Sequence, residues 1–292
     1  MTGAGGFVGA HLANRLVAAG WEVVGTVRPG TPHRPLPGVR VVAADLADPD
    51  VVAGVARGAD PDVAFLLAAA RAESTAAERA RTAAVNADSG LWLVDALPRR
   101  CRAVVRLGSS TEYGESDGPM DESAPLRPRG FFGATKASGS LLVSAAAAAR
   151  NVPAAVLRAF QVYGPGDHAK RFVPRVLRAA RTGEVLPLTG PGLHRDWVYV
   201  DDVVAACLRA AEACYGGVLN VGTGVQTANE ELVAAAERVT GRRITVAVGA
   251  HPGCPWDARS WVSEPSRARE VLGWEAKVTL EEGLARCWTS SS

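Results

Sequence analysis

The chain has 292 residues, 48% hydrophobic and 21% charged, with a formal net charge of +2. This is globular composition, long enough for a full core and for two lobes. The near-zero charge gives no global reason for nucleic acid or an anionic membrane as partner, although single arginines can still bind a small anion.

Met1-Thr2-Gly3-Ala4-Gly5-Gly6-Phe7-Val8-Gly9 opens the chain, and Val8, Leu12, Leu16 and Val17 follow at helical spacing up to Ala19-Gly20. A glycine-rich turn entering a helix offers backbone N–H groups and a positive dipole end to a pyrophosphate. Gly3, Gly6 and Gly9 would make the tight turn, the close approach to phosphate and the helix packing, with Gly5, Phe7 and Val8 between them. Such a turn should follow a buried strand of about five residues, and only Met1 and Thr2 precede it. We therefore expect the natural start to lie upstream, with Met1 standing in for the last apolar residue of that strand.

Strands are expected at Val23–Val27, Val39–Ala44, Val63–Ala68, Ala103–Leu107 and Ala154–Leu157. Helices are expected at Asp50–Arg57, at Thr75–Ala96 as one long element, and at Phe131–Arg150. Strands alternating with helices predict a parallel sheet covered on both faces. Past Gln161 the rhythm loosens. There a helix is expected at Arg171–Ala180, short strands at Val185–Leu188, Trp197–Val200, Val218–Val221 and Ile244–Val248, and a helix to Ala213 capped by Asp201 or Asp202. A capping box Thr227-x-x-Glu230 should open a helix ending at Gly241, and a last helix should lie near Pro265–Leu272.

Cys101, Cys207, Cys214, Cys254 and Cys287 are scattered, odd in number and without a C-x-x-C pair, which suits reduced thiols in a cytoplasm. The amino end is glycine-rich rather than basic then apolar, so no signal peptide is read there. The most apolar stretch, Leu141 to Ala149, is too short to span a bilayer. The five histidines show no metal-ligand spacing, and no metal site is expected.

Several segments then coincide in order: Thr2-Gly3-x-x-Gly6-x-x-Gly9, Asp45-Leu46, Leu67-Ala68-Ala69, Val85-Asn86, Ser109-Ser110-Thr111-Glu112-Tyr113-Gly114, Phe132-x-x-x-Lys136, Arg158 to Gly166, Arg195 to Asp202, and Leu272-Gly273-Trp274. Together they resemble the extended short-chain dehydrogenase/reductase family, the NAD(P)-dependent epimerases, dehydratases and reductases of nucleotide sugars. The resemblance implies an α/β fold, a Rossmann-type doubly wound parallel sheet with its first strand largely missing, and a smaller α/β substrate-binding lobe. The dinucleotide-binding domain would cover 1–162, with 195–222 returning to it, and the substrate lobe 163–194 and 223–292.

By that resemblance Asp45 would meet the adenine amino group and Leu46 pack on the ring, although Asp45 could instead cap the next helix. Leu67, Ala68 and Ala69 would line the cofactor, and Asn86 would support the site from behind. Enzymes preferring NAD usually carry an acid at the end of the second strand. Here Val27-Arg28 stands there, so NADP(H) is favoured, with NAD(H) the alternative. Ser109 would hydrogen-bond the reacting sugar oxygen, with Ser110 and Thr111 beside it. Glu112 stands one step later than the acid of the 4,6-dehydratases, and the G-S-S-x-E-Y-G form looks more like the 4-keto-sugar reductases. Arg195 matches the diphosphate-binding arginine, though it could pair with Asp196. Arg171, Gln161 and His251 are further substrate-binding candidates, His251 replacing a common arginine.

The main departure is Phe132, where the family has the tyrosine of Tyr-x-x-x-Lys. Lys136 would bind the nicotinamide ribose and lower the tyrosine pKa, but phenylalanine has no oxygen to pass a proton. Either the tyrosine was changed artificially, or Tyr113, Ser109 or a water donates, or the protein binds without catalysing. The reading is a reductase of a nucleoside-diphosphate 4-keto-6-deoxyhexose, with a 4-epimerase as alternative and a non-catalytic cofactor-binding protein as the other class. A homodimer through the helices near 75–96 and 131–150 is implied, with no membrane or nucleic-acid partner.

Overall fold

The computed structural model describes residues 1–253 and 259–290. Cys254 lies outside the described residues. The chain divides into two compact units: Met1–Tyr113, Leu126–Arg158 and Val204–Leu219 form the first, and Gly114–Pro125, Ala159–Val203 and Asn220–Ser292 the second.

The first unit begins with α1 (Phe7–Ala18), β1 (Val23–Val27), β2 (Val39–Ala43), α2 (Pro49–Ala59) and β3 (Val63–Leu66). Helix α1 turns Leu12, Ala13 and Leu16 inward, and Gly20 after it adopts φ +82°, a conformation that costs an L side chain strain. Asp48, not Asp45, caps α2, accepting from the amides of Asp50 and Val51, with Pro49 in the first turn. All four residues of β3 are buried, as expected for a strand covered on both faces. It stops at Leu66, two residues short of the expected end.

The single helix expected over Thr75–Ala96 is instead α3 (Ala76–Ala83), a π-helical turn (Ala84–Asp88) and α4 (Ser89–Ala96). The π turn coincides with Asn86, fully buried and pinned by side-chain and backbone bonds that pull it off the regular ladder. Next come β4 (Ala103–Ser109), α5 (Phe131–Ala149) and β5 (Ala154–Ala159). Leu66, Leu93, Val94, Val104 and Val143 pack into one apolar core.

The sheet is split. β1 and β2 pair in parallel as one piece, and β3, β4 and β5 join β9 (Gly217–Val221) in the order β3-β4-β5-β9. Only a stub, Met1–Ala4, lies between the pieces. The Thr2 amide donates to Phe65 O (2.8 Å), the Thr26 amide to Met1 O (2.9 Å) and the Ala4 amide to Thr26 O (3.0 Å). Beneath the stub a cavity of about 610 Å³ opens between Val23–Val24 and Val63–Phe65, with Leu16, Val55 and Leu93 in its wall.

The second unit holds β6 (Gln161–Tyr163), α6 (Phe172–Thr182), β7 (Leu186–Pro187), β8 (His194–Tyr199), β10 (Gln226–Ala228), α8 (Asn229–Thr240), β11 (Val246–Ala247), α9 (Ser266–Leu272) and α10 (Leu280–Ser290). Helix α7 (Val200–Glu212) starts in it. Its strands pair as β10-β8-β6 and β11-β7.

Three expectations are corrected here. Asp201 and Asp202 lie inside the first turn of α7 rather than capping it, and Asp202 accepts from the Val278 amide. The cap of α8 falls one residue later than expected: Thr227 belongs to β10, and Glu231, not Glu230, reaches back to the Ala228 amide. Helix α10 follows the expected last helix, opened by a capping box in which Glu282 accepts from Thr279 and the Glu282 amide donates back to Thr279 Oγ1. No described helix is long and apolar enough to cross a membrane.

Candidate active site

The opening glycines form a cradle that side chains could not share. A Cβ on Gly3, whose φ is +70°, would lie 2.8 Å from the Ala68 backbone, and one on Gly9 would lie 2.0 Å from Gly3 O. The first turn of α1 has no side-chain cap and no acid, so its amides and dipole are available to an anion. The residues present therefore fit a dinucleotide pyrophosphate. Phe7 and Val8 begin the helix, and a Cβ on Gly5 would meet His33.

Asp45 stands just beyond the end of β2, with Leu46 buried beside it. Both Asp45 oxygens are taken up by Arg81: Nη2 donates to Oδ1 (2.7 Å) and Nη1 to Oδ2 (2.9 Å). The Ala47 amide also donates to Oδ1 (3.0 Å). Chiefly through the Arg81 bond, the carboxyl is held below its usual range, and Arg28 adds to this through its charge. Leu67 and Ala68 are half-buried, Ala69 is exposed, and the Ala68 amide donates to Thr2 Oγ1. Asn86 ties the loop after β3 to α5. Its Oδ1 accepts from the Ala70 amide (2.7 Å), and its Nδ2 donates to Ala70 O and Thr135 Oγ1 (2.9 Å each).

At the end of β4 the Ser109 and Thr111 hydroxyls share a 2.8 Å hydrogen bond. Ser110 beside them is buried. Glu112 is fully buried and spent on the frame: it accepts from the Ser109 amide (2.9 Å), Ser140 Oγ (3.0 Å) and Arg158 Nε (3.1 Å). Tyr113 is 3% exposed, with the Arg158 guanidinium 4.5 Å from its ring centre.

Helix α5 comes close to this turn because Gly133 has no side chain; a Cβ there would lie 2.4 Å from Thr111 O. Phe132 is half-buried, and Arg71 stacks on its ring at 3.8 Å. One turn later Lys136 is buried and donates to Leu107 O (2.5 Å). Burial first, then the charges of Arg106 and Arg71, push its ammonium down to about 7 against the pull of Glu112.

In the second unit, Arg195 on β8 donates to His194 O (2.7 Å) and lies 5.8 Å from the Trp261 ring centre. Asp196, fully buried, accepts instead from the Thr223, Gly224 and Ser263 amides and from the Thr223 and Ser263 hydroxyls. Gln161 is half-buried on β6. Arg171 precedes α6 and pairs with Asp167 (3.4 Å), and His251 Nδ1 lies 2.8 Å from Pro252 O. His251 and Arg195 are thus each held by a backbone carbonyl of their own segment.

Sequence reading missed Arg81, Arg71 and the Glu112–Arg158 pair. For Arg81 the available signal was Thr75-x-x-Glu78, a capping box that the structure shows in full. It fixes where α3 begins and so which side chains that helix presents.

Residues 1–222 match the model of the NAD dependent epimerase/dehydratase family. The chain is 33% identical to UDP-glucose 4-epimerase of Mycolicibacterium smegmatis, over 98% of this chain and 96% of that protein. It is 29% identical to dTDP-glucose 4,6-dehydratase of Streptomyces griseus, over 98% and 91%. Among solved structures it superposes on MoeE5 in complex with UDP-glucuronic acid and NAD with a TM-score of 0.89, at 31% identity and covering 99% and 97% of the two chains. The match extends over 222 of 292 residues and includes the glycine cradle, the Ser109 turn and the Lys136 helix, and the chain belongs to the NAD dependent epimerase/dehydratase family.

Proposed function

We propose that the protein moves a hydride to and from C4 of a nucleotide sugar, and that the net reaction is 4-epimerisation. The observation that carries this reading is Glu112. Loss of water from a sugar needs an acid or base facing it, and the carboxylate nearest Ser109 is fully buried on Arg158, Ser140 and the Ser109 amide. That weighs against a dehydratase and for a reaction that needs only hydride and proton transfer.

Bound NAD(H) would supply the hydride chemistry. The glycine cradle and the start of α1 would hold its pyrophosphate, Asp45 and Leu46 its adenosine, and Lys136 its nicotinamide ribose. Ser109 and Thr111 would orient the reacting sugar oxygen, and Arg195, with Arg171, Gln161 and His251, would bind the diphosphate and base. In this reading the first unit binds cofactor and the second binds substrate. NAD(H) is the cofactor seen in the MoeE5 complex. A preference for NADP(H) has only Arg28 in its support, and paired titrations with the two dinucleotides decide it.

Incubation with NAD and UDP-glucose or UDP-glucuronic acid, followed by NMR of the sugar, should show the C4 epimer. The absence of any epimer, from this chain and from Phe132→Tyr alike, overturns the reading. Position 132 sets the expected rate, because removing a positioned acid typically costs about 10²–10⁴. Phe132→Tyr should therefore raise turnover by about 10² or more. No gain leaves Ser109 or a water as donor; buried Tyr113 is the weakest of the three candidates.

The second reading, a 4-keto-sugar reductase, is favoured by Ser110-Thr111 in the Ser109 turn. Stoichiometric loss of nicotinamide absorbance with a 4-keto sugar would select it. We include in the proposal a homodimer through the helices of 75–96 (α3 to α4) and α5, supported by Leu141, 61% exposed on α5, and a cytoplasmic setting, supported by the scattered thiols.

A further inference from the structure

The Asp45 carboxylate is nearly saturated before any ligand arrives. A carboxylate offers about four lone-pair positions, two on each oxygen. Oδ1 accepts from Arg81 Nη2 and the Ala47 amide, and Oδ2 accepts from Arg81 Nη1. One acceptor position is left, on Oδ2. The two-point clamp fixes the carboxylate plane, so the direction of that position is fixed as well. The clamp is held from behind. Arg81 lies in the last turn of α3, whose start is set by the Thr75–Glu78 box and whose end runs into the π turn around buried Asn86. The pair is not sealed off: the two side chains are 36% and 38% exposed.

We propose that Arg81 is a positioning residue of the dinucleotide site, aiming the one remaining acceptor of Asp45 so that the site selects a base carrying an amino donor. The inference rests on the proposed placement of adenosine at Asp45. Adenine presents an exocyclic N–H there, whereas hypoxanthine presents a carbonyl oxygen, and acceptor would then face acceptor. Arg81 also keeps Asp45 ionised, so the carboxyl cannot turn donor and accommodate the oxo base. No covalent step is involved; the effect is on binding alone.

The test is calorimetric titration of the full chain with NAD and with nicotinamide hypoxanthine dinucleotide, without sugar. The wild type should bind the adenine dinucleotide about tenfold more tightly, the ratio expected for one hydrogen bond to a charged group. Arg81→Met should shrink that ratio below about threefold, while Arg81→Lys, which keeps a one-point contact, should fall between. A merely structural tie between α3 and the loop after β2 would lower the melting temperature and weaken both dinucleotides by the same factor. An unchanged ratio in Arg81→Met therefore overturns the inference and leaves the cofactor assignment standing. A wild type that binds neither dinucleotide overturns both.

Discussion

The two ends of the parallel strands in the first unit are both imperfectly packed, for different reasons. At the C-terminal end the flaw is electrostatic: Lys136 is buried with Arg106 and Arg71 acting against its charge. At the N-terminal end it is steric: a cavity of about 610 Å³ lies under the Met1–Ala4 stub. The first flaw lies beside Ser109 and Phe132, which the proposed reaction would use, and the lining of the second includes neither. Their separation implies that relieving the first should raise stability and end catalysis, whereas relieving the second should raise stability alone.

Lys136→Met gives the largest expected effect. The native ammonium titrates near 7 and the unfolded one near 10.5. Between those values the unfolded chain binds the proton and the native chain does not, so the wild type gains stability as pH rises from about 7 towards 10.5. Below pH 7 the burial cost is present in full, on the order of 5 kcal/mol. The methionine variant should be more stable by up to that amount at pH 6–7, its advantage shrinking by about 1.4 kcal/mol per pH unit above 7, and it should lose turnover. Urea unfolding across pH 6–10 checks this, and an advantage that does not change with pH would show that the lysine charge is not the cause.

Filling the cavity should have the next largest effect. Five apolar residues added ahead of Met1 would bury about 1.5–3 kcal/mol of side chain each, offset by about 1–2 kcal/mol each of backbone ordering, for a net gain of about 3 kcal/mol. A polar extension of equal length should gain nothing. Dinucleotide affinity should stay within about twofold in either case, since no cradle residue moves. Thermal unfolding and a dinucleotide titration read both quantities, and an apolar extension that unfolds no later than the polar one would mean that the slot does not accept a strand.

The two ends were also unequally legible in the sequence. The cradle could be read because its information is local: three glycines, then Leu12 and Leu16 at helical spacing. Strands β1 and β3 and helix α5 were legible through apolar runs and their breakers. The split of the sheet over a cavity is a three-dimensional fact that no local pattern carries. The π turn was not legible, because it is tied to bonds from Asn86 to Ala70, Thr135 and Arg106, residues 16 to 49 positions away. Nor was the fate of Glu112, which its sequence neighbours leave open and Arg158, 46 residues on, decides. Helix α10 was missed despite a visible signal, Thr279-x-x-Glu282 ahead of Leu284 and Cys287.

The smallest of these stability effects should come from breaking the cradle rather than relieving a flaw. Gly9→Ala places a methyl 2.0 Å from Gly3 O, a backbone atom that cannot swing aside. Overpacking of this kind costs about 1–3 kcal/mol. The Gly3 carbonyl also receives the Gly6 amide (3.0 Å), so moving it opens the turn that carries the first amides of α1. Dinucleotide affinity should therefore fall by more than the stability loss explains, by about tenfold or more for a displaced charge-assisted contact. Calorimetric titration at a temperature where the variant is fully folded separates the two. If affinity survives while the melting temperature drops, the glycines serve packing alone and the pyrophosphate must be held elsewhere. Loss of affinity in a folded variant would instead tie the tight end of the strands to ligand binding, as the contrast with the hollow end requires.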